Sequence, residues 1–357
     1  MPTHPGHLAL DGELGPVNAP TIGDTRAIIA AGFDPAEPEE AIASTAARVS
    51  NWGRWGQHDV LGTLNFLDDA KRLEGARLVR RGTVFSLSQP FDMDGPQSGW
   101  RRRTNPVHTM LDTGREALDG EFPHGLGGAD DVITMPLQCS TQWDGLGHIF
   151  DHGRAWNGRD AGAVVTSSGD RLTGIETAAD RFAGRAVLLD VGRALGPSTG
   201  EGAGELPDGF AITVEHLEHT IAAQGVALGR GDIVCVRTGQ YARTRRQGWG
   251  SYAGGPAPGL SFTTAPWLHG TEIAAIATDT WGFEVRPNEF DVAFQPLHQV
   301  AIPHIGLFIG EMWDLEALAA DCAPGGAGAG IHDFWLTAAP LPITGAVGSP
   351  INPLAVK

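Results

Sequence analysis

Cysteine is nearly absent: Cys139, Cys235 and Cys322 are the only three in 357 residues, and no C-x-x-C pair occurs. So odd and sparse a set excludes a disulfide framework and suits a reducing compartment. Long apolar runs are missing too. None approaches the roughly 18 residues of a membrane span, and the opening MPTHPGHLALDGELG lacks the basic and apolar regions of a signal peptide. A cytoplasmic protein with no membrane partner is therefore expected. Positive charge is scarce: 25 Lys and Arg stand against 42 Asp and Glu, so 25 − 42 = −17. That balance argues against binding a phosphate backbone, and no nucleic-acid partner is expected. The one dense basic cluster is Arg101-Arg102-Arg103, with a looser one at Arg243, Arg245 and Arg246. Both read as solvated surface or as contacts between subunits.

What is present is glycine. Fifty glycines without a G-X-Y period mean tight turns and long loops, which often wall active sites. Apolar residues make up 41% and charged residues 19%, as in an ordinary globular chain. The periodicity predicts helices at 39–49, 68–80, 213–224 and 314–322. It predicts strands at 83–88, 131–142, 186–191, 232–238, 272–277, 304–309 and 333–338. Strands and helices mix without a regular βαβ period, which implies an α/β domain with a mixed sheet. Residues 1–37 read as an extended N-terminal arm.

Two familiar motifs fail on context. Gly196-Pro197-Ser198-Thr199-Gly200 has the letters of a nucleophile elbow, but EGAGELPDG follows it and cannot start the required helix. The glycine run at 325–330 follows a helix rather than a strand and has the wrong spacing for a dinucleotide loop. No nucleotide cofactor is expected.

The informative segment is Gln138-Cys139-Ser140-Thr141-Gln142-Trp143-Asp144-Gly145-Leu146-Gly147-His148. On a strand, Gln138, Ser140, Gln142 and Asp144 would line one face. A core strand does not carry such a polar row unless the groups serve a site or satisfy one another. Gly145 and Gly147 permit a turn that brings His148 back over the row.

This segment resembles the H-x-G-T-H-x-D-x-P-x-H signature of the cyclase family, which includes bacterial kynurenine formamidases, isatin hydrolases and trans-dienelactone hydrolases. Thr141, Asp144 and His148 match it. Gln138 and Gln142 stand in place of two signature histidines, Ser140 in place of the Gly and Leu146 in place of the Pro. The resemblance continues in Gly231-Asp232-Ile233-Val234 through Arg237-Thr238-Gly239, in Pro258-Gly259-Leu260-Ser261, in Thr278-Asp279-Thr280, and in Pro296-Leu297-His298 with Gly310-Glu311. It implies a single large domain of the swivelling β/β/α type over residues 50–357, preceded by an arm and short helix at 1–49. It also implies a homo-oligomer, a dimer or tetramer.

The resemblance further implies a divalent metal held by Asp144, His298 and Glu311, with His148 as general acid and base. Zinc and manganese both suit such a set. His108 is a candidate extra ligand and His58 a weaker one. Gln138 and Gln142 are candidate substrate donors; Trp143, Trp55 and Trp281 are candidate walls for a cyclic or aromatic small molecule. The expected activity is metal-dependent hydrolysis of an amide, formamide or lactone. Two other readings stay open because two ligand histidines are replaced. One is a metal-free lyase or dehydratase using His148 and Asp144. The other is a non-catalytic small-molecule binding protein.

Overall fold

The runs AVLL and IVCV are apolar at every position, which suits strands covered on both faces. They lie at the centre of one nine-stranded mixed sheet. Its strands are β1 (Val84–Ser86), β2 (Gln142–Asp144), β3 (Ala183–Asp190), β4 (Ile233–Arg237), β5 (Ala275–Thr278), β6 (Phe308–Glu311), β7 (Asp333–Thr337), β8 (Gly348–Pro350) and β9 (Leu354–Val356). The spatial order is β1-β9-β7-β3-β4-β5-β6-β2-β8. The central strands β3, β4, β5 and β6 run parallel. On one side β7 pairs antiparallel with β3, and on the other β2 pairs antiparallel with β6. The computed structural model describes residues 22–120 and 122–357; most of the expected N-terminal arm lies outside the described residues.

Period-2 alternation divides the core in two. Val187, Leu189, Val234, Val236, Ile276 and Ile309 face one cluster, which also takes Ala41, Ile42, Ala46 and Val49 from α1 (Pro38–Val49). Ala186, Leu188, Ile233, Cys235, Ala277 and Phe308 face the other. There they meet Leu318, Ala319 and Cys322 of α2 (Glu316–Cys322). Helix 38–49 thus belongs to the same core as the sheet. Between the strands, Arg237 of β4 is held by Asp190 at 2.9 Å and by Glu316 at 2.8 Å. Asp279, just beyond β5, accepts from Thr238 N–H, Thr238 Oγ1 and Gly239 N–H, each at 2.8 Å. It ties the ends of β4 and β5 together. No helix among the described residues is long and apolar enough to cross a membrane.

Two strand expectations change in the structure. Residues 131–142 do not form one strand. Asp131–Thr134 pairs with Val107–Met110 in a separate exposed hairpin, a turn follows, and β2 begins only at Gln142. Pro136 interrupts the segment because it has no N–H to give to a ladder. Residues 301–305 form a helical turn, and the strand starts later, at Phe308.

Candidate functional site

The site begins with the pairing of β2 and β6. Gln142 lies opposite Glu311, Trp143 opposite Gly310, and Asp144 opposite Ile309. Paired residues share a face and neighbours alternate. Gln142, Asp144 and Glu311 therefore leave the sheet on one side, and Trp143 leaves on the other. Trp143 is fully buried there, stacked on Phe182 with centroids 4.5 Å apart, and its Nε1 donates to Ala338 O at 2.8 Å. A Cβ at position 310 would come within 2.9 Å of the Trp143 ring, so glycine is required for this close approach. The reading of Trp143 as a substrate wall is thereby corrected: the strand period sends it into the opposite core.

His298 arrives from α3 (Pro296–Val300), a helix whose start is anchored by Glu284. The backbone N–H groups of Leu297 and His298 donate to that carboxylate at 3.1 and 3.0 Å. His298 Nδ1 lies 2.6 Å from Glu284 Oε1, and its Nε2 lies 3.2 Å from Glu311 Oε1. Asp144, His298 and Glu311 are all buried and offer donor atoms within 4.8 Å of one another. Gln142 Nε2 donates to Asp144 Oδ1 at 3.2 Å and to Glu311 Oε2 at 3.0 Å. Its Oε1 is buried without a partner among the described residues. His148 Nε2 stands 3.7 Å from Asp144 Oδ1, at the partly exposed edge of the group.

The electrostatics suit a cation. Burial, reinforced by the nearby Asp144 charge, pushes the Glu311 carboxyl up to about 7, against the pull of His298. Burial alone would drive His298 down, but its bonds to Glu284 and Glu311 outweigh that and raise it. His148 is lowered by burial, with Asp144 opposing, so it is neutral at pH 7. Three carboxylates around one histidine leave negative charge that buried sites compensate by protonation or by a metal. The donor set is N/O, compatible with zinc or manganese, and the partnerless Gln142 oxygen is a further neutral donor. These residues fit a divalent ion.

Other expected residues divide. Trp281 is near the site, buried beside Tyr252 and Met312 and beneath the Arg103 guanidinium at 5.3 Å. Gln138 Nε2 is buried without a partner among the described residues. It faces Gly348, which is opposite Asp144 in the sheet. Trp55 is elsewhere: it meets Phe66 edge-on at 5.0 Å and packs on the opposite-face core. His108 lies on the exposed hairpin, 2.7 Å from Asp131 Oδ2, and does not join the ligand group. The separate hairpin that follows from Pro136 carries it off the main sheet. His58 is exposed and bonds Gln57. The arginine cluster is not uniformly solvated, since Arg103 is only 9% exposed. Glu284 escaped the sequence reading. Its only signal was an acid between the apolar Phe283 and Val285.

The Cyclase family model matches residues 85–285, more than half of the chain. The chain belongs to the cyclase family. The crystal structure of a novel cyclase is 38% identical, covers 87% of this chain and 100% of its own, and superposes with a TM-score of 0.77. Isatin hydrolase A from Labrenzia aggregata, bound to benzyl benzoate, is 19% identical over 79% of this chain and 96% of its own, with a TM-score of 0.54. Isatin hydrolase A from Ralstonia solanacearum is 18% identical over 77% and 92%, with a TM-score of 0.55. The last two share the cyclase fold. A search of curated proteins found no match.

Within this cyclase-family site, Glu284 fixes the ring orientation of His298, and such outer partners typically govern affinity by 10–100-fold. Glu284→Gln is expected to weaken zinc or manganese binding by about that factor while the fold persists. Metal titration of the two proteins checks this, and equal affinities would show that Glu284 does not orient the histidine.

Proposed function

We propose that the protein is a metal-dependent hydrolase that opens an amide, formamide or lactone bond in a small, cyclic or aromatic molecule. The observation that carries this reading is the buried convergence of Asp144, His298 and Glu311 beside a neutral histidine. The isatin hydrolases among the structural neighbours support hydrolysis as the reaction type. A divalent ion held by those three residues would supply Lewis acidity and a lowered pKa for water. Zinc and manganese are both proposed for it.

The protein's own groups divide the remaining work. His148, neutral at pH 7 and partly open, takes a proton from the attacking water. It then returns that proton to the departing nitrogen or oxygen, a role worth about 10²–10⁴ in rate. Asp144, within 3.7 Å of its Nε2, stabilises the imidazolium that forms between those two steps. Gln138 Nε2 is free to donate to the substrate carbonyl, where a positioned amide strengthens as charge develops. Gln142 holds Asp144 and Glu311 in register through its two bonds.

That last contact also favours one alternative. An amide N–H between two carboxylates takes part of a cation's place, as a metal-free lyase acting through His148 and Asp144 would need. Activity that survives chelation yet disappears in His148→Ala would select it.

We also propose a homo-oligomer, with the exposed hairpin as a contact. Val107, Met110, Val132 and Ile133 stand exposed on its two strands, and such apolar surface is usually covered in an assembly. Sedimentation should give a mass of two or more chains, and a monomer at micromolar concentration would contradict this.

For the hydrolase, Glu311→Gln should lose metal and activity together. His148→Ala should keep its metal and lose about 10²-fold or more in kcat. Burial lowers His148 below the ordinary histidine value, with Asp144 opposing. With metal saturating, the acid-side loss of rate that reports this base should therefore lie below the ordinary histidine range. Full activity in Glu311→Gln would rule out the metal role.

A further inference from the structure

Arginines buried in this fold have carboxylate partners, with one exception. Arg185 bonds Asp232 and Asp333, and Arg237 bonds Asp190 and Glu316. Arg103 is also buried, at 9% exposure, yet its guanidinium makes no hydrogen bond or ion pair with any described residue. It lies over the face of Trp281, 5.3 Å from the centroid. Its stem is covered while its donor fork has no protein acceptor among the described residues, so the fork is left open to a planar acceptor from outside the chain.

Arg103 is not alone. Arg101 lies 5.5 Å from the centroid of Phe294, and Arg286 lies 5.1 Å from the same ring and 5.6 Å from Trp100. Neither has a carboxylate partner among the described residues. Trp100 bridges the group, 5.2 Å from Trp281 and 5.4 Å from Phe294. The turn that presents Arg101 and Arg103 is itself unusual: Arg101 and Arg102 both have positive φ, 52° and 62°. Non-glycine residues rarely adopt that region, because the Cβ crowds the following carbonyl. The cluster adjoins the centre, for Trp281 beneath Arg103 packs with Met312, the residue that follows Glu311. In a chain of net charge −17, three guanidinium groups without counter-ions beside the site form a local positive well.

We infer that Arg103, with Arg101 at the rim, is a carboxylate-binding subsite next to the Asp144–His298–Glu311 centre, so that the molecule bound there carries a carboxylate besides the bond that is cleaved. The guanidinium fork matches a carboxylate in two parallel hydrogen bonds. The aromatic rings behind it exclude water and strengthen that pairing. That a bond is cleaved rests on the hydrolase reading; the subsite itself is a binding property.

The test therefore reads binding without turnover, on protein stripped of metal by chelation so that a carboxylate has no ion to join. Acetate and benzoate are titrated against acetamide and benzamide, with tryptophan fluorescence as the signal. The wild type should bind at least one carboxylate ten-fold or more tightly than its amide, with affinity falling as salt rises. Arg103→Gln should remove that preference, Arg103→Lys should restore part of it, and Arg101→Gln should weaken it less. Unfolding curves establish that the variants fold, and Arg101→Gln keeps the test open if Arg103→Gln does not. Equal binding of acids and amides, no binding of either acid, or a preference unchanged in both Gln variants would overturn the subsite. If carboxylate selectivity holds while no ester or amide is ever hydrolysed, the hydrolase reading fails and the subsite stands. If neutral lactones or amides turn over and selectivity is absent, the reverse is true.

Discussion

Everything at the site depends on the register of one antiparallel pair. With Gln142 opposite Glu311 and Asp144 opposite Ile309, three polar side chains emerge together over the helix that carries His298. A slip of one residue would send them into the opposite core and bring Trp143 out. The register is held from behind. Trp143 is wedged between Phe182 and Trp313, with centroids at 4.5 and 5.0 Å, and Gly310 leaves the space it needs. The apolar face of the strand thus locates the polar one. Packing in a close-packed interior tolerates little displacement, so the positions of Asp144 and Glu311 are fixed before any ligand arrives.

The second constraint is electrostatic. Glu284, Asp144 and Glu311 converge on a single histidine in a space with almost no solvent. Glu284 caps the start of the helix with two backbone bonds and holds His298 Nδ1 with its side chain, which leaves Nε2 facing Glu311. One acid therefore builds the helix terminus and orients the ring. The raised Glu311 carboxyl and raised His298 describe a centre that stores protons where a cation would displace them. Metal affinity at such a centre rises with pH because binding releases those protons. The arginine turn at 100–103 is the positive counterpart, set beside the centre without pairing to it.

Much of this was legible in the residues. Asp144, His298 and Glu311 were assigned through the family resemblance, and the structure brings them together although 154 positions separate the first from the second. The mixed sheet and the apolar strands β3 and β4 followed from continuous apolar runs. Several features were not legible, each for a physical reason. The polar row from Gln138 to Asp144 looked continuous because the pattern counts side chains and not N–H groups, and Pro136 breaks the ladder upstream. Trp143 looked like a pocket wall because aromatic identity says nothing of which side of a sheet is solvent-filled. His108 required a partner sheet that the hairpin does not join. Glu284 and Arg103 act only through tertiary neighbours, His298 and Trp281, so neither had a local signature. From sequence Arg103 reads as solvated surface or as a contact between subunits, because charged residues are rarely buried unpaired.

The most direct test of the central claim is the elemental metal content of protein purified without chelator or added metal, measured beside a His298→Ala control. The account predicts about one zinc or manganese ion per chain, lost in the control. No metal in either sample, with no binding when zinc or manganese is titrated in, would contradict it.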